Sequence, residues 1–365
     1  VGGGTYQGFG ATTPGGAGQP VYHVTHLQDS GPGSLRDAVS RGNRRVVFDV
    51  AGEISLNDDI RVKGAFITID GFTAPSPRIT LKNHGLVFSG EQGAHDVIVQ
   101  GIRVRNSLGC DKGCSSYGGG LLIVHEAYNV VVDHVSVQGS QNFAISVNKG
   151  AHDITIQWSL FAENQGKTQL LSLISGWPKG VGAPTGRISM HHNLLMKANE
   201  RLPQVKFSEV GVQAPDVQID LRNNLIWDWS STATRIWKGA KANVVNNYYY
   251  APNASPLGQR RAIYFCHAGS TPPQCDASDP KLYARAYIAG NVSGHGPEIT
   301  HYLNKLGTES APFAVPSVET VPPCTAAEQV LAQAGVRPLD AIDQQYVSAI
   351  TLPSCPGRSS FSQKK

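Results

Sequence analysis

The residues of this chain best suited to chemistry are cations rather than acids. Arg201 stands in the run His191-His192-Asn193 through Arg201-Leu202-Pro203. It follows a segment that reads as a strand ending near Asn199, and a proline lies two residues beyond it, so its guanidinium should project from a rigid bend. Lys206 comes five residues later and Lys167 lies in the preceding repeat. An arginine is almost fully protonated at ordinary pH, so it can accept a proton only where other positive charge crowds it. Such a group of cations suits a carboxylate-bearing partner. The same central segments are poor in Asp and Glu, so they do not supply the paired carboxylates, about 5–9.5 Å apart, that glycoside hydrolysis needs.

The other reactive residue types read as structural. His191 and His192 are adjacent, and adjacent residues on a strand point to opposite faces, so they do not form one chelating pair. One of them should be buried and hydrogen-bonded, and Asp133-His134 reads the same way. The six cysteines fall as Cys110 and Cys114, Cys266 and Cys275, Cys324 and Cys355. None has the second Cys or His pair that zinc requires. Six cysteines permit 15 connectivities, so pairing between neighbours remains one choice among several, but disulfides and an oxidising compartment are expected. Asn253 and Asn291 sit in Asn-X-Ser sequons, relevant only where the source glycosylates. No apolar run is long enough to span a membrane and no leader precedes Val1, so the expectation is a mature, exported, soluble protein, read as a monomer. A net charge of +4 allows an anionic partner, but no Lys/Arg cluster with interleaved aromatics points to nucleic acid.

With 40% hydrophobic and only 16% charged residues, plus 40 glycines and 22 prolines, the chain should fold around a large core with many turns. One unit keeps returning: a short β-rich segment, a polar bend, then another short apolar segment. It begins at Ile67, Val97, Val130, Ile154, Ile188, Val217 and Ala242. Repeats of this length, roughly 22–35 residues, signal a solenoid. One such unit cannot bury its apolar face, whereas stacked units share a continuous core. Asn193, Asn224, Asn247 and Asn291 recur at corresponding bends and should form a ladder of stacked amides. Ser34 is placed to cap a short helix over the open end of the coil. Thr325 and Glu328 form a capping box before a helical run that ends at Gly335.

The segments GFGATTPGG, VYHVTHLQDSGPGSLRDAV and VVFDVAGEISL, then NVVVDHVSV, ITIQWSLFAEN, ISMHHNLLMKANERLPQV and LRNNLIW, and finally VLAQAGVRPLDAIDQQYV, resemble the bacterial pectate lyases of polysaccharide lyase family 1, in the same order and over nearly the whole chain. The resemblance implies an all-β fold, a single right-handed parallel β-helix over 1–365. Residues 1–60 would be the N-terminal cap and first coil, 61–300 the central coils, and 301–365 a C-terminal segment with a short helix packed on the coil. It implies a secreted enzyme that cleaves polygalacturonate or pectin by β-elimination, with Arg201 as proton acceptor. Lys149, Lys167, Lys206 and Arg235 match family cations that contact substrate carboxylates, with Lys206 standing where a second arginine is usual.

Calcium is the family cofactor, and here the sequence departs from the family. The matching stretches read Gly118-Gly119-Gly120-Leu121 and Gln141 to Val147, without the acids. A calcium ion takes about 6–8 oxygen ligands, usually several of them charged. The expectation is therefore no resident metal, with calcium independence or a calcium held only between substrate and protein. The alternatives are a non-catalytic β-helix that binds acidic polysaccharide and a lyase that prefers methylated pectin.

Overall fold

The computed structural model describes residues 5–106, 119–164, 169–176, 183–207, 213–265, 283–297, 299–302 and 307–355. Among them the chain winds through three parallel sheets of ten, nine and nine strands, and strands adjacent in a sheet are one full coil apart in sequence. One coil shows the pattern: Tyr128–Asp133 lies in the first sheet, Ser136–Gln138 in the second and Ile145–Val147 in the third. This is the parallel β-helix expected from the repeats.

The core follows from register. Ile67, Val97, Val130, Ile154, Ile188 and Ile219 pair in sequence across the first sheet, and each is 0–1% exposed. Burying each such side chain contributes about 1.5–3 kcal/mol, and the period of two sends the alternate residues outward. Between the first and second sheets the chain turns on a residue in the left-handed region: His134, Trp158, His192, Asn223 and Asn246 all have φ between 47° and 55°. Immediately after these bends runs the asparagine ladder. The Oδ1 of Asn224 accepts from both the backbone N–H and the side-chain amide of Asn193, each at 3.0 Å. Asn247 serves Asn224 in the same way at 2.9 Å, and Asn291 serves Asn247. The Asn291 amide nitrogen also donates to Val244 and Ala289, so that sequon is engaged in the fold.

Each repeat recognised in the sequence covers strands of the first two sheets. The third strand of each coil, such as Ser172–Ser175, Gln204–Lys206 or Thr234–Trp237, is only three or four residues long and carries no comparable pattern. Helix α1, Leu35–Ala38, is capped by Ser34 as expected, and α2, Pro256–Arg260, by Ser255. Helix α3 spans Pro323–Gln333 and begins after Pro322, without a side-chain cap. Prolines preset its first turn, so Thr325 and Glu328 lie inside the helix rather than at its start. Helix α4, Ala341–Ala349, follows. Together they cover the outer face of the second sheet, where Leu194, Met196, Trp227 and Tyr248 meet Ala327, Val330 and Tyr346. A Cys324–Cys355 disulfide closes this segment. The other four cysteines lie outside the described residues.

A buried charge network fastens the same segment. Arg105 donates to Asp343 at 2.7 Å and to Asp340 at 3.0 Å, while Arg103 donates to the Pro77 and Val336 carbonyls. Asp343 is fully buried, and burial raises its carboxyl above the usual range. Removing one member of such a network leaves a charge without its partner. Arg105→Ala should therefore lower the unfolding free energy by about 3–5 kcal/mol, while the paired Arg105→Met/Asp343→Leu change should recover most of it. Chemical denaturation checks this. An Arg105→Ala protein as stable as the parent would show that the network does not hold the segment.

Candidate active site

The third sheet carries the cations. Its strands are narrow, and residues that alternate with the buried Ile174, Val205, Ile236 and Ile263 face outward. In register these outward positions are Leu173, Gln204, Arg235 and Tyr264 in one row, and Ser175, Lys206 and Trp237 in the next. The residues leading into each strand form the edge of the face.

Arg201 stands on that edge. The strand Leu194–Glu200 pairs with Leu225–Thr232 until its register shifts between Ala198 and Glu200, a bulge that redirects the chain. Arg201 follows with φ 72°, a strained value for a non-glycine residue of the kind concentrated at functional sites. Its carbonyl accepts from the Ser172 N–H at 2.8 Å, and the Leu202 N–H donates to Ala233 at 2.9 Å, so both neighbouring coils hold the bend. The guanidinium is about one-quarter exposed and donates to Glu200 at 3.3 Å. It lies over the Phe143 ring with its central carbon 5.7 Å from the centroid.

Arg235 is one coil further on. Its guanidinium lies 4.1 Å from the Trp237 ring centroid and 5.6 Å from that of Tyr264, and its buried Nε has no hydrogen-bond partner. Burial pushes its pKa below the ordinary arginine value; Glu200 and Tyr264 push it back up, and Arg201 and Arg261 push it down. Arg201, Glu200, Arg235 and Arg261 thus share one electrostatic neighbourhood. Lys206 lies on the same face, in register with Ser175 and Trp237.

Lys149 is placed differently. It follows the strand Ile145–Val147, beyond the opposite edge of the third sheet from Arg201. There its ammonium donates to His125 Nε2 at 3.0 Å, inside a pocket of about 510 Å³ lined also by Glu91, Glu126 and Tyr128. Burial and then Lys149 hold His125 below its usual pKa, so the neutral ring accepts from the ammonium. Lys167 lies outside the described residues.

The histidine pair departs from the simple alternation. His192 takes a left-handed φ of 55°, which brings its Nδ1 within 3.0 Å of His191 Nδ1. Both rings are buried, at 1% and 4% exposure. His192 stacks on Trp158 at 4.4 Å between centroids. His134 bonds to Asp133 at 2.8 Å. These histidines belong to the wall of the coil, as the sequence reading held, but both are buried rather than one.

No carboxylate occupies the outward rows of the third sheet among the described residues; those positions near Arg201 are Ser146, Leu173, Ser175 and Gln204. Gly120 leaves no room for a side chain, because a Cβ there would meet the Phe143 carbonyl oxygen at 2.0 Å. The described residues place the Glu200 carboxylate beside Arg201, whereas a calcium ion usually takes several charged oxygens. A His/acid group is formed by Asp58 and Asp59, just before the first strand of the third sheet, and His84, just before the second. It lies five strand steps from the Arg201 coil, about 24 Å at the usual strand spacing, and Asp59 already accepts from the Gly85 N–H.

Sequence reasoning missed Glu200, Trp237, Tyr264 and Arg261. Arg261 had a usable signal: it stands just before the short strand Ile263–Phe265 as Arg201 stands before Gln204–Lys206.

No protein-family model matches the chain. It is similar to the probable pectate lyase C of Emericella nidulans, at 35% identity over 317 residues, covering 84% of this chain and 62% of that protein. It also matches the probable pectate lyase C of Aspergillus fumigatus at 30% identity over 370 residues, 94% of this chain and 75% of the relative. The chain thus spans less than two-thirds of the Emericella protein's length. These relatives are fungal, which corrects the narrower expectation of a bacterial member. Among solved structures, a Bacillus pectate lyase in complex with trigalacturonate aligns with TM-score 0.58 at 18% identity, over 91% of this chain and 98% of that one. Jun a 1, the major cedar pollen allergen, aligns with TM-score 0.57 at 18% identity, over 91% and 93%. At that identity the likeness shows the fold.

Proposed function

The chain belongs to the pectate lyase family, and from that premise we propose that it is a secreted lyase cleaving polygalacturonate by β-elimination at Arg201. The reaction breaks the C5–H and C4–O bonds of a uronate and forms a C4–C5 double bond. Arg201 takes the C5 proton, water protonates the leaving oxygen, and the proton on Arg201 then passes to solvent, so that no net proton is gained or lost. Negative charge builds on the uronate carboxylate as the proton leaves, so fixed cations that hold it lower the barrier. Arg235 and Lys206 occupy the adjoining positions on the third sheet, and Lys149 and Lys167 would serve more distant residues of the polymer. The observation that carries this reading is that Arg201 and Arg235 stand on adjacent coils of the third sheet, joined by the Leu202 N–H to Ala233 and Arg235 N–H to Pro203 hydrogen bonds.

The reaction is proposed to need no resident calcium, because among the described residues the outward rows of the third sheet carry no carboxylate. Cleavage of polygalacturonate, followed by the ultraviolet absorbance of the unsaturated product, should continue in excess chelator. The rate should rise toward alkaline pH, as expected where a strongly basic group removes the proton. Activity lost in chelator and restored by added calcium would overturn the metal-free version. A flat or acid-peaked profile would count against a guanidine base.

One observation favours a second reading of the substrate. The half-buried Leu173 and Tyr264 make the outer face partly apolar, which suits methyl-esterified uronates. A higher rate on methylated pectin than on polygalacturonate would select that reading.

A further inference from the structure

We propose that Arg261 and the Tyr264 ring, next to Arg235, form a further carboxylate subsite for a uronate residue two coils away from Arg201. This rests on the reading of the chain as acting on an acidic polysaccharide.

The placement follows from hydrogen bonds between coils. The Leu202 N–H donates to Ala233, and the Ala233 N–H donates to Arg261. Arg201 and Arg261 therefore mark the same edge of the third sheet, two coils apart, about 9–10 Å at the usual strand spacing. Arg261 directly follows α2. That helix is fixed to the coil below it, because Trp229 Nε1 donates to the Gly258 carbonyl at 2.8 Å. A Cβ at Gly258 would come within 2.4 Å of the Ser230 oxygen, so only glycine permits this close approach.

The aromatic rings supply the rest. The Arg261 guanidinium carbon is 5.2 Å from the Tyr264 ring centroid, and that of Arg235 is 4.1 Å from Trp237 and 5.6 Å from Tyr264. Tyr264 thus lies within cation–π range of both guanidiniums. Arg235 and Arg261 each keep a buried Nε with no hydrogen-bond partner. Two like charges held together on aromatic rings, with donor capacity unspent, are suited to an incoming carboxylate, which a guanidinium grips with two parallel hydrogen bonds. Trp237 is 6% exposed and serves as the floor. The site touches no reacting atom, so it should hold ground state and transition state alike.

The test uses Arg261→Gln and Arg261→Lys in the whole chain, with far-ultraviolet circular dichroism as the check on folding. Two readouts are needed: steady-state kinetics on polygalacturonate, and retention of the protein in a gel containing polygalacturonate. For Arg261→Gln, KM should rise about 10- to 100-fold, the usual effect of losing a charge-assisted hydrogen bond, with kcat within about twofold. Retention should fall in parallel, and Arg261→Lys should lie between the two because it keeps the charge and loses the fork. Unchanged KM and retention in Arg261→Gln would overturn the subsite, as would a loss of kcat at constant KM. A parent protein that is retained but forms no unsaturated product would overturn the lyase reading, and retention would still judge the subsite. A parent protein neither retained nor active would overturn both.

Discussion

Replacing Arg201 by alanine is expected to lower kcat on polygalacturonate by about 10²- to 10⁴-fold, the usual contribution of a positioned acid or base. KM should change much less, because Arg235, Lys206 and the proposed Arg261 subsite still hold the polymer. The fold should survive. The Arg201 side chain is about one-quarter exposed and contacts Glu200 and the Phe143 ring. Its coil is held through the backbone at Ser172 and Leu202. Arg201→Lys should not restore the rate, since an ammonium lacks the planar fork and sits differently on the bend. Steady-state kinetics and circular dichroism on the same preparations check this. An alanine variant with parental kcat would remove Arg201 from the chemistry.

Acidification should destabilise the fold well before carboxylates protonate. His191 and His192 face each other inside the wall, and burial first, then mutual repulsion and Arg222 for His191, depress their pKa to about 3 and about 4. In the unfolded chain both return to about 6.5. Between these limits the unfolded state binds protons that the folded state refuses, so stability falls as pH falls. It is fully present above pH 6.5 and is lost progressively toward the folded values. Each histidine contributes a slope of about 1.4 kcal/mol per pH unit, roughly 2.7 kcal/mol per unit for the pair between pH 6.5 and 4.5. Denaturant unfolding across that range should show the slope, and His191→Asn should remove about half of it. A stability that stays level from pH 6.5 to 4.5 would mean that the rings are protonated in the folded chain.

The coil was legible because two of its three sheets announce themselves. Pairs such as Ile154 and Ile156 mark an inward face, and the asparagines after each bend repeat because each must hydrogen-bond to the next coil. The third sheet was not legible. Strands as short as Gln204–Lys206 show one inward residue and leave no period to count. Yet that sheet carries the proposed site, so the motif and the resemblance named Arg201, Lys206 and Arg235 while Glu200, Trp237, Tyr264 and Arg261 went unnoticed. Tyr264 and Arg261 meet Arg235 only because two coils of different length stack in register, a relation no local pattern records. The histidine pair misled for a related reason. Strand alternation ends at His191, and the left-handed bend at His192 folds the second ring back against the first.

The claim on which the rest depends is that bond breaking is an elimination. Mass spectrometry of the oligomers released from polygalacturonate in the presence of chelator tests it directly. Expected are fragments lighter by one water than the corresponding hydrolysis products, carrying an unsaturated uronate at the new non-reducing end, formed at least about 10²-fold more slowly by the Arg201→Ala protein. Fragments solely of full hydrolytic mass, with none carrying an unsaturated end, or no fragments from the parent protein, would contradict it.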